Sequence, residues 1–597
     1  MPASETNREL AELFRDAARI LDLKGANAFK AIAFQKVATL LDNLPDDLRT
    51  LHAKGGRAAI ESIKGIGASS VAIIGDVIET GASPDHEALL ASVPPELPLM
   101  LDVPGLGPKT VRLIWQERGI ETLAALGTAV EDGSLADLKG LGPKKLAQIG
   151  EGLALREAAG KRRTLGEAIE AARPLHERLC ALDGVERVEQ AGSVRRGRET
   201  IGDLDFVVAN AAGAEPAAIL AAFADFPEVD QVIGRGETKC SVRLAGGLQV
   251  DCRVVPPSSF GAALCYFTGS KEHNRHLRSL ARERGLNLNE WGLFVAEDWQ
   301  RRDNKPGTVP TVRPLAGATE QAVYRALDMT WVPPEMREDG GEIELAAAGE
   351  LPRPIEAGDY RGDLHCHTHA SDGVGSIEQM AEAAKALGHR FLAITDHSVS
   401  QGQANGLDAQ RLTKHAAAIR AANERIDGIE LLAGTECDIL ADGRLDYEDD
   451  VLAELDWVIA SPHAALRQEP ARATERLLKA IENPYVNAIG HPSGRLINAR
   501  TGLQPDFAAL FAAAAANGTA LEINASYRRL DLAADQARAA VRAGCTLTIN
   551  TDAHTPRGLE RLAGGLTTAR RGWVTKGDVL NCMTLAQVRR FIARKRG

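Results

Sequence analysis

Paired cysteines are absent from this chain. Its eight cysteines, Cys180, Cys240, Cys252, Cys265 and Cys366 among them, show no Cys-x-x-Cys spacing, and several fall inside apolar runs. This pattern predicts reduced core residues and a cytoplasmic setting rather than a disulfide framework. An excess of positive charge is also missing: 70 Lys and Arg face 81 Asp and Glu, a formal net charge of -11 with a pI near 5.8. A surface coated in cations is thereby excluded, so any nucleic-acid contact must use local patches and oriented backbone N–H groups. Long apolar runs are lacking too. The longest, Phe507 to Ala516, is alanine-rich and too short to span a bilayer, and Met1 to Glu5 has no basic-then-apolar leader pattern, so no membrane role is expected. With 597 residues, 44% of them hydrophobic, the chain has the material for several domains with their own cores.

What is present begins with the stretch Gly192 to Val208. Asp203 and Asp205 are two apart, so on a strand both carboxylates face one side while Leu204, Phe206 and Val208 face the core. Before them, Gly192 and Ser193 form a turn whose N–H groups and hydroxyl can meet phosphate oxygens, and Arg195, Arg196 and Arg198 add cationic donors. A third acid, Asp251, lies on the polar face of the alternating run Leu248 to Val254, predicted to be a neighbouring strand. Three strand carboxylates suit Mg2+ or Mn2+, hard cations that keep phosphate oxygens in their shell.

The segment from Gly192 to Val208 resembles the nucleotidyltransferase signature of the family X DNA polymerases. The resemblance implies that Gly192, Ser193, Arg196 and Gly202 serve the incoming triphosphate, and that Asp203, Asp205 and Asp251 are the catalytic metal ligands, with Asp251 taking the primer proton. Tyr266-Phe267-Thr268-Gly269-Ser270 resembles the nucleotide-pocket turn of that family, in which the aromatic pair packs on the sugar. The helix after it would place Asn274 against the nascent pair and Arg278 against the template, four residues apart on one face.

Upstream, the spacing of Leu10, Leu13, Ala17, Ile20 and Leu21 predicts a helix, and a second is predicted from Ala28 through Leu41. Three turns echo one another: Gly65-Ile66-Gly67, Gly105-Leu106-Gly107-Pro108-Lys109 and Gly140-Leu141-Gly142-Pro143-Lys144. In each, glycines allow close approach to a phosphate and the next helix offers free N–H groups at its positive end. They resemble helix-hairpin-helix DNA-backbone clamps, with Lys109, Lys144 and Lys145 as added cations and Lys30 and Lys36 as further candidates. Helix 68–80 lacks the lysine with which polymerase beta relatives open abasic sugars, so that lyase reaction is not expected.

After residue 362, short apolar strands end in metal-binding side chains: His365, His367 and Asp372, then His397, Glu436, His463, His491, and finally Asp552 with His554. About seven βα units are predicted, and ligands gathered at the carboxyl ends of parallel strands suit a TIM-like barrel. Nine nitrogen and oxygen ligands without thiolates favour two or three Mn2+, Zn2+ or Fe2+ ions. The run Asp363 to Gly373 with the later ligands resembles the polymerase and histidinol phosphatase (PHP) family, and the whole order of modules resembles bacterial family X polymerases. That resemblance implies Mn2+-dependent 3′-5′ exonuclease activity or cutting at abasic sites. His369 receives no metal role.

The expected architecture is multidomain: a helical N-terminal domain over 1–82, a fingers-like helical domain over 83–160 and an α+β palm over 161–255. A thumb over 256–335, a linker over 336–358 and a distorted (β/α)7 PHP barrel over 359–597 complete it. The expected partners are gapped or primed DNA and deoxynucleoside triphosphates, with the protein a cytoplasmic monomer acting in short-gap repair. The rival readings are a polymerase fused to a small-molecule phosphomonoesterase, and a non-catalytic scaffold for DNA ends.

Overall fold

The computed structural model describes residues 5–25, 28–44, 46–103, 105–160, 162–301 and 310–596. Pro104, just before the second Gly-x-Gly turn, and Met1 to Ser4 lie outside them. Two compact units emerge: Met1–Gly160 with Asn498–Arg500, and Lys161–Ile497 with Thr501–Gly597.

In the first unit the predicted helices form as Glu5–Lys24 and Ala28–Asn43, their apolar stripes meeting through Leu10, Phe14, Phe34 and Leu41. Helices Leu48–Glu61 and Ala68–Thr80 complete that core, while Val93, Val111, Ile114, Leu126 and Ile149 build a second one around Pro108–Arg118, Leu123–Glu131 and Pro143–Gly160.

The second unit opens with a five-stranded mixed sheet in the order Val185–Gln190, Asp203–Asn210, Gln249–Val255, Lys239–Leu244, Val229–Arg235. Leu204, Phe206 and Val208 do face the core, against Leu175 and Leu179 of helix Leu165–Cys180 and Phe223 of Pro216–Ala224. On the other face Val207 and Ala209 are covered by Phe260, Ala263 and Leu264 of helix Phe260–Thr268. Asp203 and Asp205 share that face but precede the cover, and so remain accessible at the strand's start. Helix Lys271–Glu283, the hairpin Leu286–Asn289 with Gly292–Val295, and helix Glu320–Ala326 pack into a further core.

The segment 336–358, expected to be a linker, is packed structure instead. Met336, Ile343 and Ala346 are buried with the thumb residues Leu277 and Tyr324, Glu342–Ala348 is a helix, and Arg337 and Glu342 are fully buried. The expectation missed this because a seven-residue helix offers too few turns to display an apolar period.

The barrel has seven parallel strands in chain order: Gly362–Cys366, Phe391–Ile394, Glu430–Asp438, Trp457–Ser461, Ala488–Ile489, Ala520–Asn524 and Leu547–Asn550. It is nearly closed, the first and last strands being bridged past the end of the last strand, where the His367 backbone N–H donates to the Ala553 carbonyl at 2.8 Å. At the amino ends of the strands Leu364, Phe391, Trp457 and Ala520 pack with Val588 and Ile592 of the C-terminal helix Leu585–Arg596. Among the described residues no helix is long and apolar enough to cross a membrane. All eight cysteines are free, and Cys180 is exposed rather than in the core.

Candidate active sites

Parallel pairing between Asp203–Asn210 and Gln249–Val255 sets Asp205 directly beside Asp251. The three predicted acids therefore meet at the amino ends of two adjacent interior strands of the sheet. Burial, and after it the charges of Asp203 and Asp251, push the Asp205 carboxyl up to about 7. Asp251 moves the other way: burial opposes its ionisation, but Lys239, Ser241 and Gln249 outweigh that and hold it below the usual carboxylate range. Lys239 Nζ lies 2.5 Å from Asp251 Oδ2. No motif pointed to this lysine, although it occupies an alternating strand position that faces the acids.

Gly192 sits against this trio with φ of +62°, and a Cβ there would lie 2.2 Å from Asp205 Oδ2. Only glycine fits both constraints. Ser193 follows in the short helix Gly192–Arg195. Gly202 immediately precedes the strand, where a Cβ would sit 3.1 Å from Arg162 Nη1. Arg196 reaches the second motif, since its Nη1 donates to the Thr268 carbonyl and lies 3.1 Å from where a Cβ on Gly269 would stand. Tyr266 and Phe267, half-buried, meet edge to face with ring centroids 5.2 Å apart, and the Arg253 guanidinium lies 4.4 Å over the Phe267 ring. Asn274 Nδ2 donates to the Tyr266 carbonyl at 2.6 Å, and Arg278 is exposed on the same helix.

Arg195 departs from expectation. Its guanidinium forks onto Glu320, with Nη1 at 2.7 Å and Nη2 at 2.8 Å, and Glu320 also accepts from the fully buried Arg337 at 2.8 Å. With both Nη1 and Nη2 held by Glu320, this guanidinium braces the turn. Its carboxylate partner lies far along the chain, where no sequence motif marks it.

In the first unit the three turns share one backbone form. Gly65, Gly105 and Gly140 take φ of +104°, +99° and +89°. Gly67 and Gly107 are N-cap residues of the following helices, and Gly142 accepts the first N–H bonds of Pro143–Gly160. The middle residues Ile66, Leu106 and Leu141 are buried, whereas Lys109 and Lys144 are exposed. Nothing lies within 4 Å of a Cβ placed on Gly67, Gly107, Gly140 or Gly142, so each turn presents open backbone.

At the carboxyl ends of the barrel strands all nine predicted ligands converge. Three overlapping groups keep their ligand atoms within 4.8 Å of one another: His367, Asp372, His397 and His554; His365, His367 and Asp552; and His397, Glu436 and His463. His491 Nε2 joins them 3.0 Å from Glu436 Oε1. Both oxygens of the buried Glu436, and the buried His365 Nε2, make no well-aligned hydrogen bond, although His397 Nδ1 and His491 Nε2 come within 2.8 and 3.0 Å of that carboxylate. Buried polar atoms without partners are costly in a protein interior, so this donor set fits divalent cations. His491 and Asp552 adopt φ of +27° and +54°, positive values uncommon for residues with a Cβ, which supports a functional constraint at both ligands. His369 is exposed and apart from the groups.

Outer carboxylates aim the imidazoles, and sequence reasoning did not single them out. Glu522 Oε1 lies 2.8 Å from His365 Nδ1, and its Oε2 accepts from the His491 backbone N–H at 2.6 Å. Asp438 lies 2.5 Å from His463 Nδ1. Asp396 accepts from Thr368, Ser371 and His415, tying down the loop between His367 and Asp372. Such partners fix the tautomer and orientation of a ligating imidazole. Burial alone would lower the His463 and His554 pKa values, yet Glu436 with Asp438, and Asp372 with Asp552, raise them to about 10 and about 9. Burial and neighbouring imidazoles instead lower His367 to about 4.

Comparison with known proteins agrees with this geometry. Family models match a helix-hairpin-helix domain at residues 5–83, a SAM-like helix-hairpin-helix tandem at 97–157, the DNA polymerase beta thumb at 263–338 and the PHP domain at 363–526. A probable phosphatase of Shewanella sp. (strain ANA-3) is 32% identical over 205 residues, 33% of this chain and 77% of its own. DNA polymerase lambda of Rattus norvegicus is 25% identical over 352 residues, 56% of this chain and 57% of its own. The DNA polymerase/3′-5′ exonuclease PolX of Bacillus subtilis (strain 168) is 38% identical over 590 residues, 98% of this chain and 99% of its own. End-to-end similarity of that extent, with both clusters assembled, shows that the chain belongs to the bacterial family X DNA polymerases that carry a C-terminal PHP domain.

Proposed function

We propose that this protein fills short gaps in DNA from deoxynucleoside triphosphates and removes nucleotides from 3′ ends, each reaction at its own site. The observation that carries this reading is that the chain holds two ligand clusters on two different sheets: Asp203, Asp205 and Asp251 on the mixed sheet, and nine ligands, His491 among them through Glu436, at the barrel mouth. Mg2+ or Mn2+ at the first, and two or three Mn2+, Zn2+ or Fe2+ ions at the second, would neutralise phosphate charge and acidify a bound nucleophile.

The chain's own residues do the rest. Asp203, Asp205 and Asp251 hold the polymerase ions, and Asp251 takes the proton of the primer 3′ hydroxyl. Gly192 and Ser193 offer their turn, and Arg196 its guanidinium, to the triphosphate. Tyr266 and Phe267 pack the sugar, and Asn274 and Arg278 face the nascent pair and the template. Gly65, Gly67, Gly105, Gly107, Gly140 and Gly142 hold DNA phosphates without reading sequence, aided by Lys109 and Lys144. In the barrel His365, His367, Asp372, His397, Glu436, His463, His491, Asp552 and His554 hold the ions, while Glu522 and Asp438 keep the imidazoles aimed.

Asp205→Ala and His365→Ala test the division. On one labelled gapped duplex, Asp205→Ala is expected to lower incorporation by about a thousandfold or more and leave 3′ degradation intact, with His365→Ala doing the reverse. Loss of both activities in either folded variant would overturn the assignment of separate sites.

A further inference from the structure

The mixed sheet and the barrel meet at the turn that carries Arg196. Gly197 has φ of +65°, and a Cβ there would lie 2.0 Å from Thr567 Cγ2 on the barrel helix Ala563–Arg571. At the end of that helix Arg571 Nη1 donates to the Arg196 carbonyl at 2.8 Å and lies 3.0 Å from Glu338 Oε1. Glu338 accepts from Arg196 Nε at 3.1 Å and faces Arg198 Nη1 at 3.7 Å. Three guanidiniums thus surround one carboxylate. The Arg571 side chain is only 9% exposed, and the adjoining Arg570 forks onto Glu335 at 2.7 and 3.3 Å, pinning the same stretch of chain.

Two consequences follow for Arg196. With Nε bonded to Glu338 and Nη1 to the Thr268 carbonyl, its long side chain is fixed before any ligand arrives, which lowers the ordering cost of binding. Glu338 left alone would repel a polyanion, and Arg571 cancels that charge.

We propose that Arg571, a residue of the PHP barrel, is a positioning residue for nucleotide incorporation: with Glu338 it holds the Arg196 backbone and guanidinium in the pose that meets the triphosphate. The proposal rests on the reading of Arg196 as a triphosphate contact.

The test uses the full-length protein, single-nucleotide gap filling at varied triphosphate concentration, and 3′ degradation by the same preparations. R571A is expected to raise the KM for the triphosphate about tenfold, with kcat changed by less than about twofold and 3′ degradation unchanged. R571K, which keeps the charge and loses the fork, recovers part of the loss. E338Q is also expected to raise KM; a lowered KM would mark Glu338 as a competitor of the triphosphate and overturn the proposal. In the R571A/R196A double variant KM is expected to be no higher than in R196A, since one residue acts through the other. If R196A leaves KM unchanged, the triphosphate reading itself is lost. If R196A raises KM while R571A does not, or if their effects multiply, only the positioning role falls. A drop in melting temperature and in 3′ degradation for R571A, unrelieved in R571K, also overturns it.

Discussion

At the residue scale, the two-apart spacing of Asp203 and Asp205 was enough to put both on one face, because strand geometry forces it. That Asp251 lies on a neighbouring strand was legible, but the register that sets it directly beside Asp205 was not, since it depends on the whole sheet. Gly192 shows how narrow the tolerance is. Alanine there would need a carboxylate shift of about an ångström from the 2.2 Å approach and would strain a positive φ. Misplacement of that order costs about a hundredfold in rate, so Gly192→Ala is expected to lower gap filling by about that factor while 3′ degradation proceeds at its usual rate. Near-normal incorporation by this variant would show that Asp205 needs no such closeness. No sequence motif marks Glu522. That it aims the His365 imidazole and holds the His491 backbone depends on neighbours far along the chain.

Among elements, the three Gly-apolar-Gly turns were legible in full because glycine spacing is local: each puts a positive-φ glycine, a buried apolar residue and a helix start in order. Segment 336–358 was misread for the opposite reason. Its value lies in partners distant along the chain, Glu320 for Arg337 and His273 for Glu342, and composition does not report partners. If the turns hold phosphates, affinity for gapped DNA falls as salt rises, and replacing Lys109 and Lys144 by alanine flattens the slope of log K against log salt by about 0.9 per lysine. An unchanged slope, measured by anisotropy titration across salt concentrations, would remove these lysines from the interface.

For the whole molecule, the order of modules was readable from end to end, because the two metal-binding patterns and the repeated turns each carry their own spacing. The contacts between modules were not readable. Glu199 is forked by Arg495 at 2.6 and 3.1 Å, and Arg571 reaches Arg196, yet neither pairing has a local signature. Ions that bind only the folded barrel stabilise it by about 2.7 kcal/mol at a hundred times Kd. Chelation is therefore expected to lower the melting transition by roughly 5–10 °C, reversed by Mn2+. A transition indifferent to chelator in scanning calorimetry would show that the ligand groups carry no ions.

The packed join between thumb and barrel also constrains inheritance. Because Arg337 completes the Glu320 pair and Glu342 lies against His273, a recombination that exchanged this barrel for another would have to cross over downstream of Glu342. If Arg571 positions Arg196 as proposed, the incoming half would also need an arginine at that place to keep the contact.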